Sequence, residues 1–166
     1  MKLHLLFVIT FISSNFGLAQ HSVLNPKFEM MLDALLTHDV NEVYPNQVLL
    51  DKDIIFLDAR EKREFDVSHI KNARWVGFNS FNIKRVDTIP YNKKIVVYCS
   101  VGYRSEKIVK KLIDLGYKNV SNLYGGIFEW VNQNHKVFNH KGVTKQIHAF
   151  NKVWAQWLDR GIKIYY

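Results

Sequence analysis

The chain has 166 residues, of which 48% are hydrophobic and 23% are charged, and its formal net charge is +8. These proportions fit a globular protein with one hydrophobic core, so they exclude wholesale disorder and a fibrous repeat. The positive residues are scattered and form neither a nucleic-acid-binding motif nor a continuous basic helix, so we expect no nucleic-acid partner.

The first 19 residues have the layout of a secretory signal peptide. Lys2 precedes the apolar run LLFVITFI, and the small residues Gly17 and Ala19 follow it. A membrane anchor is the less favoured alternative, because the apolar run at residues 5–12 is too short to cross about 30 Å of hydrocarbon. We therefore expect cleavage after Ala19 and an exported protein, periplasmic or secreted, with no stable membrane insertion.

An N-terminal helix and an alternating body follow. In the segment at residues 20–39, the sequence FEMMLDALLTH places apolar residues at spacings of three and four, which predicts an amphipathic helix over residues 28–38. Between residues 40 and 138, short apolar runs such as IIFL and KIVVYC alternate with helical segments. This alternation predicts an α/β domain with a parallel sheet.

The tail at residues 139–166 carries large apolar side chains at helical spacing. Ile147, Phe150, Trp154, Trp157 and Leu158 would share one face of a helix. We expect this helix to dock on the body, because apolar stripes are usually core. A helix that binds a partner or a membrane surface is the alternative.

Cys99 is the single cysteine of the chain, and it stands where a predicted strand ends. It is either an inert buried residue or a functional thiol. The loop after it must curl into a helix for which Ser105 is a candidate cap, and Gly102 permits the unusual backbone angles of such a curl. Inward amides, the helix end and the charge of Arg104 would together favour the thiolate and bind an anion.

Three sequence segments resemble, in order, the signatures of single-domain rhodaneses. They are LDAREKREFDVSHIKNA, VVYCSVGYRS and NLYGGIFEW, and the resemblance covers residues 40–138. It implies the rhodanese fold, an α/β structure with a parallel five-stranded sheet flanked by helices on both faces. It also implies a sulfurtransferase that carries sulfur as a persulfide on the cysteine.

The resemblance assigns roles residue by residue. Cys99 matches the nucleophile, and Asp58 with Arg60 matches an acidic and basic pair that supports the site, with a structural salt bridge as the alternative. Glu64 and His69 match positions that look structural and are left out of the predicted site. The residues that match the substrate-binding loop are Ser100, Val101, Gly102, Tyr103 and Arg104, while Gly125, Gly126 and Trp130 match a tight turn and a core anchor.

The implied partners are small molecules, and no cofactor or metal is implied. A donor such as thiosulfate would supply the sulfur, and cyanide, a thiol or a protein thiol would accept it. We expect a monomer.

Two other functions remain open from the sequence. A cysteine-dependent phosphatase or arsenate reductase also uses a cysteine and an arginine ahead of a helix, but phosphatase signatures place five residues between them. Cys99 and Arg104 enclose four, and this shorter loop favours a single transferable sulfur over a phosphoryl group. A non-enzymatic binding or persulfide-sensing module is the other alternative.

Overall fold

A computed structural model describes residues 23–165, so the predicted signal peptide lies outside the described residues. The main helices and strands follow one another as a body of alternating elements and a short C-terminal extension. In chain order they are α1 (Pro26–Leu35), β1 (Glu42–Val43), α2 (Pro45–Val48), β2 (Ile55–Asp58), α3 (Lys62–Val67), β3 (Arg74–Trp75), β4 (Lys94–Tyr98), α4 (Tyr103–Asp114), β5 (Asn119–Leu123), α5 (Gly126–Asn132), β6 (Val137–Asn139), β7 (Gly142–Thr144), β8 (Gln146–His148) and β9 (Ile162–Ile164).

The central sheet has five strands in the order β1-β5-β4-β2-β3, and all of its pairs are parallel. The strand β4 lies in the middle, between β2 and β5. Its side chains alternate between two separate apolar clusters, with Ile95 and Val97 in one and Val96 and Tyr98 in the other. The expected five-stranded parallel sheet with a core on each face is therefore confirmed.

Helices fill both cores. Ile108, Val109 and Leu112 of α4 pack on the Ile95 face of the sheet. On the opposite face lie Leu32 of α1 and Phe128 of α5, with further apolar residues of those two helices. Both faces are thus covered, as a buried parallel sheet requires.

The predicted N-terminal helix is present, but it begins earlier and ends earlier than residues 28–38. Pro26 occupies its first turn, and the Asn25 side chain accepts the backbone N–H groups of Lys27 and Phe28. A capping Asn followed by proline is a strong helix start, and the chain becomes extended at Leu36. The helix α1 therefore spans Pro26–Leu35.

The predicted α-helix in the C-terminal tail is wrong. The tail forms the strands β7, β8 and β9 and a 3₁₀ turn at Trp154–Trp157, and β8 pairs in parallel with β9. Phe150 has a φ of 64°, which an α-helix cannot contain, and Asn151 accepts the N–H of Trp154 to start a new turn. Ile147, Ala149 and Leu158 of the tail are fully buried in the core of the α1 face.

Within residues 23–165, none of the helices combines the length and the apolar character needed to cross a bilayer.

Candidate active site

Cys99 follows directly on β4 and begins a short loop that leads into α4. Its side chain is only 1% exposed, and the backbone N–H of Gly102 donates to Sγ across 3.2 Å. Gly102 is the N-cap of α4 and has a φ of 114°, a conformation that side chains disfavour. The loop therefore turns an amide and the positive end of a helix towards the sulfur.

The carbonyl group of Gly102 is held by two polar side chains. Asn122 on β5 donates from Nδ2 to this oxygen across 3.2 Å, and Ser105 Oγ lies 3.0 Å from it. Ser105 Oγ also lies 2.7 Å from Asn122 Oδ1. Ser105 is thus inside the first turn of α4 and ties the loop to the sheet, so the prediction that it caps the helix is wrong.

The N-terminus of α5 supports the same loop from behind. Ile127 N–H donates to the carbonyl oxygen of Cys99 across 2.9 Å, and Phe128 N–H donates to that of Ser100 across 3.1 Å. Gly126 comes so close that a Cβ there would lie 2.5 Å from the Cys99 oxygen. The second glycine of the predicted tight turn therefore fixes the backbone of the nucleophile.

Replacing Gly126 with alanine is expected to lower the free energy of unfolding by at least about 2 kcal/mol. The φ of 57° accounts for about 1–2 kcal/mol, and the contact with the Cys99 backbone adds strain of similar size. Gly142→Ala is the control for a positive φ in open space. Its φ of 111° is at least as strained for alanine as 57°, and no atom lies within 4 Å of the added Cβ. Denaturant unfolding of both variants measures the difference. A loss for Gly126→Ala of less than about 1 kcal/mol would mean that the loop moves aside at no cost.

Arg104, which is partly buried, forms an ion pair with the buried Glu64 of α3. Its Nη1 donates to Glu64 Oε2 across 2.7 Å, and its Nη2 donates to Glu64 Oε1 across 2.9 Å. Nη2 also donates to Ser100 Oγ, which in turn donates to Glu64 Oε1. The guanidinium that we expected to bind an anion therefore directs two of its donor groups at a carboxylate of the protein.

This pairing determines the charge state of both groups. Burial raises the pKa of Glu64, but the hydrogen bonds and charge of Arg104 outweigh it and bring the pKa down to about 2. Burial lowers the pKa of Arg104, but hydrogen bonding to Glu64 and the charge on Cys99 outweigh that and raise it. Glu64 is thus a carboxylate that holds Arg104 beside Cys99, a role that the sequence reading did not assign to it.

Asp58, the last residue of β2, forms a fully buried ion pair with Arg60 in the loop that follows it. The Arg60 Nη2 donates to Asp58 Oδ2 across 2.7 Å, and both side chains are fully buried. Burial lowers the pKa of Arg60, but the charge of Asp58 outweighs it and the pKa is raised. In the sheet, Asp58 lies opposite Tyr98, the residue before Cys99, and neither Asp58 nor Arg60 lines the pocket above the sulfur. A supporting role for these two residues stays a prediction.

A pocket of about 240 Å³ opens above the sulfur. Four of the five predicted substrate-binding residues line it, while Gly102 contributes its N–H group instead. Two aromatic residues of the C-terminal extension complete the wall. The lining residues are Cys99, Ser100, Val101, Tyr103, Arg104, Phe150 and Trp154.

Four residues of this arrangement were missed in the sequence reading, namely Glu64, Asn122, Phe150 and Trp154. His69 lies outside the pocket, and its ring stacks on Phe65 with 4.0 Å between the ring centroids. Within the described part of the chain, no group of three or more His, Cys, Asp or Glu residues is placed to hold a metal ion. The groups that the structure does place at the sulfur are the Gly102 N–H and, on the pocket wall, the guanidinium of Arg104.

A central parallel sheet that delivers a cysteine into an amide-lined loop before a helix defines a rhodanese-type site. The Rhodanese-like domain family matches residues 46–133, which is more than half of the chain and includes Cys99 and Arg104. The chain belongs to the rhodanese-like family.

Curated proteins similar to this chain include tRNA uridine(34) hydroxylases. That of Hamiltonella defensa subsp. Acyrthosiphon pisum is 38% identical over 102 residues, which cover 58% of this chain and 27% of the relative. That of Yersinia enterocolitica is 37% identical over 90 residues, which cover 51% of this chain and 26% of the relative. The chain thus spans about a quarter of the length of these curated relatives.

Solved structures show the same fold. The BH2092 protein from Bacillus halodurans superposes with a TM-score of 0.57 at 24% identity, covering 71% of this chain and 89% of that one. A thiosulfate sulfurtransferase from Pseudomonas aeruginosa gives a TM-score of 0.56 at 18% identity, covering 80% of this chain and 26% of that one. At these identities the likeness establishes the fold.

Proposed function

We propose that this protein is a sulfurtransferase that carries sulfane sulfur as a persulfide on Cys99. The observation that carries the proposal is the position of Sγ, at the base of a pocket, within hydrogen-bond distance of the Gly102 N–H and beside Arg104. An amide donor, a helix N-terminus and a guanidinium surround the sulfur, and the thiolate is the nucleophilic form of cysteine. Membership of the rhodanese-like family supports the same chemistry.

The first half-reaction moves one sulfur atom onto the protein. The thiolate of Cys99 forms a bond to the outer sulfur of a donor such as thiosulfate. The sulfur–sulfur bond of the donor breaks, and its electron pair leaves with sulfite. The Gly102 N–H and the N–H groups of the first turn of α4, which lack acceptors within the helix, stabilise the charge on the persulfide.

The second half-reaction returns the site to its starting state. A nucleophilic acceptor, such as cyanide or a thiol, attacks the outer sulfur of the persulfide. The bond between Sγ and that sulfur breaks, and its electron pair restores the Cys99 thiolate. Because Cys99 is the single cysteine of the chain, an outside acceptor must discharge it.

Intact mass spectrometry tests this proposal directly. Incubation with thiosulfate should add the mass of one sulfur atom to the protein, and cyanide should remove it with formation of an equal amount of thiocyanate. If no sulfane donor adds sulfur, the proposal is wrong. Loading without turnover above the uncatalysed rate would favour a persulfide-sensing module, and hydrolysis of an aryl phosphate at Cys99 would favour a phosphatase.

A further inference from the structure

One wall of the pocket above Cys99 is formed by a part of the chain outside the family match. Phe150 and Trp154 belong to the C-terminal extension, whereas the family match ends at residue 133. With Cys99 only 1% exposed, a donor must enter the pocket to reach Sγ. At about 240 Å³, the pocket is smaller than typical drug-sized sites of about 300–1,000 Å³, so it suits a small molecule.

Hydrogen bonds fix the backbone at the two aromatic residues. Phe150 has a φ of 64°, and its N–H donates to His148 Nδ1 across 3.1 Å. Burial lowers the pKa of His148, which keeps the ring neutral and able to accept this bond. The backbone N–H of Trp154 donates to Asn151 Oδ1 across 3.0 Å, and the next residue, Ala155, is buried in the core. The aromatic wall is thus anchored to the body of the protein.

The polar side of the pocket offers little net charge to an anion. Arg104 is the charged residue among those that line the pocket. Its guanidinium donates three hydrogen bonds, two to Glu64 and one to Ser100. The carboxylate of Glu64 opposes the charge of the guanidinium, and the Cys99 thiolate adds a negative charge. A doubly charged anion therefore gains less here than at an unpaired arginine, because like charges raise its energy in a partly buried site.

We propose that Phe150 and Trp154 make this site selective for small organic sulfane donors, namely persulfides or thiosulfonates that carry an apolar group. This inference rests on the proposed sulfurtransferase function. The apolar group packs against the two rings, and the outer sulfur of the donor faces Sγ. The Sγ bond to that sulfur forms as the sulfur–sulfur bond of the donor breaks, and the electron pair leaves with the thiolate or sulfinate that bears the apolar group.

Three donors separate the contribution of the apolar group from that of charge. Benzenethiosulfonate and methanethiosulfonate share their charge and reacting group, and inorganic thiosulfate is the doubly charged comparison. For the full-length protein, the rate constant of sulfur loading on Cys99 is followed by intact mass spectrometry. Each loading rate constant is divided by the rate constant of the same donor with a small free thiol. We expect this relative rate constant to be at least tenfold larger for benzenethiosulfonate than for methanethiosulfonate, and larger for both than for thiosulfate.

Variants of the wall test whether the two rings cause this preference. Phe150→Gly removes one ring and suits the left-handed backbone, so it preserves the fold, and Trp154→Ala removes the other ring. Each variant is expected to lower the ratio of the relative rate constants for benzenethiosulfonate and methanethiosulfonate by about three- to tenfold. This is the effect expected for the loss of one aromatic contact. Val153→Ala is the matched control, since Val153 lies between them in sequence, is 68% exposed and does not line the pocket.

The outcomes distinguish this inference from the proposed function. A wild-type ratio equal to that of the free thiol, or a ratio unchanged by both wall variants, overturns the selectivity while Cys99 still loads from thiosulfate. Failure of all three donors to load Cys99 overturns the sulfurtransferase proposal itself. A ratio that falls in Phe150→Gly and stays constant in Val153→Ala supports the aromatic wall as the determinant of donor choice.

Discussion

Replacing Cys99 with serine is expected to abolish sulfur loading and to reduce turnover to the uncatalysed rate. The serine hydroxyl is not ionised at neutral pH, and its oxygen cannot form a persulfide. No second cysteine is present to take over the role. Thiocyanate formation in the presence of a donor and cyanide measures turnover, and intact mass spectrometry measures the adduct.

The Cys99→Ser variant is expected to fold, which makes its inactivity informative. The serine oxygen can accept the Gly102 N–H that Sγ accepts, and the two side chains differ little in volume. Thermal unfolding of the variant should therefore lie close to that of the wild type. A well-folded variant that still gains sulfur would show that the carrier is not Cys99.

The position of the nucleophile could be predicted because it is encoded locally. A continuous apolar run marks a buried parallel strand, and the end of that strand places Cys99 at the edge of the sheet where ligands bind. Gly102 and Arg104 follow within five residues, so the loop and its charge are contained in one short segment. The five-stranded parallel sheet followed from the family resemblance and the alternation of segments.

The partner of Arg104 could not be predicted, because it lies 40 residues earlier in the chain. A glutamate in a short helix with charged neighbours is typical of a solvated surface, and the sequence carries no signal that α3 turns Glu64 inward. Only the packing of α3 beside the loop makes this carboxylate 1% exposed. The aromatic wall was missed for a similar reason, since the spacing of Phe150 and Trp154 matches a helix but the left-handed turn at Phe150 is not visible in it.

The ion pair between Glu64 and Arg104 is expected to make stability depend on pH. The pKa of Glu64 is about 2 in the folded protein and near 4.5 when unpaired, so the unfolded chain takes up the proton first on acidification. The stabilisation is therefore fully present above about pH 5 and is lost as the pH falls towards 2. The difference between the two pKa values corresponds to about 3 kcal/mol of stabilisation of the folded protein. About 2 kcal/mol of this stabilisation is lost at pH 3.

Glu64→Gln is expected to remove this dependence, because the amide cannot ionise. At pH 7 the free energy of unfolding of the variant should be about 3 kcal/mol lower than that of the wild type. This difference should become smaller as the pH falls from about 5 to 3. Asp66→Asn is the control on the same helix, because the pair of Asp66 with Lys62 is exposed and contributes about 1 kcal/mol or less. Denaturant titrations at several pH values measure both gaps. A gap for Glu64→Gln that stays constant with pH would mean that Glu64 is not held as a carboxylate by Arg104, and the bond that orients the guanidinium beside Cys99 would lose its basis.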